Sequence, residues 1–158
     1  MALLRRWVLA AGLAAACAVL PSGCGLGSAT STPKQAAERI AQDVDLASSA
    51  VGTAELTVRQ LRASRTFPTV AETTLKESGG MASGASAGLT RYIPVGPVDA
   101  RWRDEAVKAT AQAQVAIADA RAWVDGAGGS GARVQAELSA SSDALDAVSS
   151  TLQKAGAQ

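Results

Sequence analysis

Thr32-Pro-Lys-Gln-Ala-Ala-Glu-Arg-Ile40-Ala-Gln-Asp-Val44-Asp-Leu-Ala47-Ser-Ser-Ala-Val51-Gly-Thr-Ala54-Glu-Leu-Thr-Val58-Arg-Gln-Leu61 carries one periodicity from end to end. Ile40, Val44, Ala47, Val51, Ala54, Val58 and Leu61 recur at alternating steps of four and three. That rhythm keeps one apolar seam on one side of an α-helix. Its start is marked as well. Thr32 suits the N-cap, Pro33 the first helical position, and Gln35 the reciprocal place of a capping box. Pro68 disfavours helix at the residue before it, so the helix is expected to end by Phe67. Leu46 and Leu56 fall off the seam and point to a second contact face.

Two more stretches downstream repeat the pattern. From about Ala100 to Val124, Trp102, Ala106, Ala109, Ala113, Ala116, Ala120 and Trp123 form a seam, widened by Val107, Ile117 and Val124. Asp99 is the expected cap. Because the middle of this seam is alanine, a partner helix can approach closely. After the Gly-rich turn around residues 125–131, Val134, Leu138, Ser141, Leu145, Val148 and Leu152 keep the same rhythm. Between the first and third of these helices the signal weakens. Thr69 and Glu72 form a second capping-box pattern, so a short helix is expected over Val70 to Glu77, stopped by Gly79-Gly80. Residues 79–97, rich in Gly, Ser and Pro, are expected to be an irregular connection, with Leu89 to Pro97 extended and packed on the helices. No alternating strand pattern competes. The fold class that follows is all-α, an up-and-down bundle of three long helices plus one short one. A homodimer is the other way to bury seams this regular.

Upstream the chain changes character. Arg5-Arg6 precedes Trp7 to Leu20, a run of 14 residues without charge, and Pro21-Ser22-Gly23-Cys24 closes it. A basic start and a short apolar run have the form of a secretory signal. A membrane-spanning helix needs roughly 20 apolar residues. This segment resembles the signal of bacterial lipoprotein precursors, with Ser22 and Gly23 at the small positions before the acceptor cysteine. The pattern departs at Pro21, where that family usually has Leu. The resemblance implies cleavage before Cys24, diacylglycerol on its sulfur with fatty acyl chains such as palmitate, and an address on the extracytoplasmic face of the cell envelope. Gly25 rather than Asp after that cysteine implies the outer membrane in a two-membrane cell. Other outcomes remain on the residues alone. They are acylation at Cys17 after Ala14-Ala15-Ala16, a cut after Ala16 or Ala29 that frees a soluble secreted protein, and an N-terminal helix that stays uncut in the membrane.

On the lipoprotein reading, residues 1–23 are the signal, 24–32 a flexible tether and 33–155 the bundle domain. Seven or eight Gly/Ser/Thr-rich residues span roughly 15 Å as a random coil. With Arg5 and Arg6 gone, 13 basic side chains face 14 acidic ones. That balance argues against nucleic acid, which needs a clustered basic surface. The chain has no histidine, which removes the commonest general base, imidazole metal ligation and the His-containing triads. No cofactor motif occurs, and a Gly-rich stretch without Gly-Lys-Ser/Thr is not a phosphate loop. The function expected is therefore a non-catalytic, membrane-tethered bundle that contacts another envelope protein. The alternative is a module holding a small apolar or amphipathic ligand between its helices, lined by Tyr92, Trp102 and Trp123.

Overall fold

The computed structural model describes residues 32–157. Four helices follow in order: α1 (Pro33–Arg62), α2 (Pro68–Arg91), α3 (Pro97–Val124) and α4 (Gly131–Gly156). Each packs on its neighbours in sequence, and α4 closes back onto α1. The short connections make successive helices antiparallel. An all-α up-and-down bundle is the result, with no strand among the described residues.

Proline punctuates the chain. Pro33, Pro68 and Pro97 each stand in the first turn of their helix, where the missing N–H has no partner to lose and the fixed φ is already helical. Thr32 and Gln35 complete the capping box at α1. Ser130 Oγ accepts from the Arg133 amide and caps α4. Two helices end in the same reversed turn. At α3, the Ala127 N–H bonds to Ala122 C=O and that of Gly126 to Trp123 C=O. At α1, Arg65 bonds to Gln60 and Ser64 to Leu61. Such a turn needs a left-handed residue just past the cap. Gly126 supplies it at φ 75°, and Ser64 adopts φ 55° in the equivalent place.

The core is the sum of the seams. Ile40, Val44, Ala47, Val51, Ala54 and Val58 from α1, Ala106 to Ala120 from α3, and Val134, Leu138, Leu145 and Leu152 from α4 are buried together. Leu61 and Val148 sit at the margin, half-buried. Helices α1 and α3 also touch across the bundle, whereas α2 and α4 do not. Side-chain size accounts for this. Alanine makes most of the inner face of α3, beside Thr110 and Ile117, and much of that of α1, so their axes can close, while Leu75, Leu89, Leu138, Leu145 and Leu152 occupy the two flanking helices.

The second helix corrects the sequence reading. It does not stop at Gly79-Gly80 but runs for 24 residues to Arg91. Ala71, Leu75, Ser78, Ala82, Ala85 and Leu89 are buried along it, again at steps of four and three. The supposed capping box does not form. Phe67 is the N-cap, without a side-chain bond, and Thr69 lies inside the helix. What was expected to be an irregular connection over 79–97 shrinks to Tyr92–Gly96. Leu89 is buried within α2, whereas Ile93 and Val95 lie 84% and 61% exposed rather than packed on the helices. Asp99 is not the cap of α3 either. That place falls to Gly96, and Asp99 lies buried in the first turn, where a carboxylate suits the positive end of the helix dipole.

Candidate functional site

Of the residues singled out in sequence, Cys24 lies outside the described residues. The other three do not converge. Trp102 and Trp123 are both half-buried against the core, but 21 positions apart on one helix they are separated by about 32 Å. Trp102 belongs to the end of the bundle where α1 begins. Trp123 belongs to the opposite end, over the start of α4. A methyl group at Gly131 would meet Trp123 Cζ2 at 2.8 Å and Arg62 Cδ at 2.9 Å. Arg62 also donates to Gln135 Oε1, joining α1 to α4. Here glycine is required by close packing, and Trp123 serves to seal the end of the core. Tyr92 caps α2 at the same end as Trp102 and packs on the core.

Among the concavities on the described surface, two stand out. One is a cleft of about 700 Å³ between the start of α1 and the end of α2, lined by Gln35, Arg39, Gln42, Asp43, Arg91 and Tyr92 among others. Asp43 is its distinctive group. Its carboxylate lies over Gly88, so close that a methyl group there would overlap it. Burial raises its pKa above the ordinary aspartate value, and Arg39 and Arg91 pull in the other direction. The loss of hydration outweighs the two cations.

The second is a groove of about 720 Å³ between α3 and α4. Ala111, Val115, Ala116 and Ala140 make its apolar part, with Lys108, Asp119, Arg133 and Glu137 around them. Val115 is 62% exposed. Arg133 Nε donates to Glu137 Oε1 at 2.7 Å, the pairing expected from their spacing. On α3, Asp104 pairs with its neighbour Arg103 at 2.7 Å. Neither tryptophan lines this groove or the cleft. Sequence reasoning missed both sites. Val115 is an apolar residue off the α3 seam, but the cleft depends on the end of α2, whose Gly- and Ser-rich sequence resembles a loop.

Among the described residues no group of three His, Cys, Asp or Glu side chains is placed to hold a metal ion, and no helix is long and apolar enough to cross a membrane. The class defined by the coordinates is a four-helix up-and-down bundle. Comparison with family models, curated proteins and solved structures finds no match.

Proposed function

We propose that this chain is an extracytoplasmic lipoprotein, held to a membrane face by acyl chains on Cys24, whose helical body acts by contact with another envelope protein rather than by catalysis. The observation that carries the reading is the order Arg5-Arg6, an uncharged run to Leu20, then Ser22-Gly23-Cys24. The α3/α4 groove supports the second half. Its apolar part and its rim of both charge signs suit one face of an amphipathic partner helix. The alternative, a small apolar or amphipathic ligand between helices, draws support from the same groove and none from the tryptophans, which stand apart.

Mass spectrometry of the N-terminus tests the anchor directly. In the wild type the mature chain is expected to begin at Cys24, to carry diacylglycerol-derived mass, and to fractionate with membranes. In Cys24→Ser the leader is expected to stay attached and the acyl mass to vanish. A wild-type chain that is freely soluble, or that begins elsewhere without lipid, would overturn the proposal.

A further inference from the structure

The connection between α2 and α3 is the most apolar exposed feature at the end of the bundle where the described chain begins. Ile93, Val95 and Val98 are 84%, 61% and 50% exposed, three large aliphatics within six positions. Single exposed aliphatics are ordinary. A cluster on one protruding turn is not explained by scatter.

The backbone suits an apolar destination. Pro94 and Pro97 have no N–H, so two donors that would need desolvation are missing from this short turn. They also stiffen it, which lowers the ordering cost of binding. Tyr92 roots the turn in the core from one side. Arg91 and Arg101 flank it, both exposed. Of the nearest acids, Asp43 faces Arg91 across the cleft between α1 and α2, Asp99 is buried in the first turn of α3 and Asp104 is paired with Arg103, so Arg101 is the cation of the pair with no acid drawn to it.

The antiparallel topology adds position. Helix α1 starts at Pro33 on the same end, and only positions 25–31 separate Cys24 from Thr32. Even fully extended, the eight residue steps from Cys24 to Thr32 reach at most roughly 28 Å, so that end lies near the anchoring point. Held so close, a weak contact is occupied, because the effective concentration of a linked partner is high.

We propose that the Tyr92–Val98 turn is a second membrane contact. Ile93, Val95 and Val98 enter the interfacial layer of the bilayer, and Arg91 and Arg101 meet anionic headgroups, so that the bundle stands with its α2–α3 end on the lipid. This inference rests on the Cys24 anchor proposed above. The depth involved is that of an interfacial segment, with the arginine stems reaching along the boundary.

The opposite end provides the control. Phe67, in the α1–α2 turn, is 75% exposed and sits near Arg62 and Arg65 in sequence, so composition alone would favour it equally. It lies a bundle length away, about 45 Å along α1. The test uses the full chain, purified in membrane-anchored form and reconstituted in vesicles of phosphatidylglycerol and phosphatidylcholine. If Cys24 carries lipid, the mature parent has no free thiol. Ile93→Cys and Phe67→Cys then each accept one environment-sensitive dye. The expected result is several-fold brighter, blue-shifted emission at position 93 than at 67, quenched by spin-labelled lipid only at 93. Adding Val95→Asp to Ile93→Cys returns the emission to the aqueous range. Equal aqueous emission at both positions overturns the docking while leaving the anchor intact, and a signal at 67 instead of 93 overturns it by reversing the orientation. Dye uptake by the parent chain, or its failure to float with vesicles, reports the loss of the anchor itself and removes this proposal with it.

Discussion

Asp43 is the residue where local chemistry and packing meet most directly. Its carboxylate is pressed against the α2 backbone at Gly88, and its pKa is raised by burial. A raised folded-state pKa means that the protonated form suits the native state better. The stability this group contributes is therefore present below its unfolded value, near 3.8, and is lost as pH rises through the folded value. Asp43→Asn removes that loss. Relative to wild type, the Asn variant is expected to gain stability as pH rises from about 3 toward neutrality. Urea unfolding of both proteins across that range checks the sign. A difference that is flat or falls with pH would contradict it. Three other buried polar side chains are satisfied locally. Thr57, Ser78 and Ser141 each donate to the carbonyl one turn back. Thr110 does not, and its fully buried hydroxyl has no partner.

At the scale of elements, α2 is the informative case. Gly79, Gly80, Gly84 and Gly88 lie within it, and each glycine weakens an isolated helix by about 1 kcal/mol relative to alanine. Packing therefore holds α2, through Leu75 and Leu89 above all. The glycines differ in what surrounds them. Nothing lies near the position a methyl would take at Gly80, so Gly80→Ala is expected to stabilise the protein by about 0.5–1 kcal/mol. At Gly88 a methyl would strike the Asp43 carboxylate, so the gain seen at Gly80 is expected to be reduced or lost in Gly88→Ala and to return, at about 0.5–1 kcal/mol, in an Asp43→Ala background. Thermal unfolding of the single and double variants measures both.

The same helix shows what could be read in advance. In α1 and α4 the seam is written in Ile, Val and Leu, and at α3 it begins and ends in Trp, so burial and periodicity coincide in the sequence. In α2 the register passes through Ser78, Ala82 and Ala85. These small residues are equally common in loops, and the glycines between them resemble a linker. Only the neighbouring helices reveal that Ser78 faces inward with its hydroxyl bonded to Thr74. The surface sites were less legible still. The cleft and the groove each require two helices side by side, and periodicity along one helix does not specify that.

For the whole molecule, the short diagonal between α1 and α3 sets the cross-section. Ala106, Ala109, Ala113, Ala116 and Ala120, all buried on α3, let the two axes approach, because alanine carries nothing beyond Cβ. Ala113→Leu forces them apart or strains the rotamer, and is expected to destabilise by about 1–3 kcal/mol. Chemical denaturation checks the loss. An unchanged midpoint would mean that the diagonal has room to spare. No comparable sensitivity is expected at Ala111, which faces the α3/α4 groove.

The even number of helices has a geometric result of its own. Four antiparallel passes return the chain to its starting side, so the last turn at Gly156 comes back beside Pro33. A reporter fused after the last turn would lie alongside whatever holds the first. The opposite end carries two hairpin bends, the one at Ser64 and the one at Gly126 to Gly129.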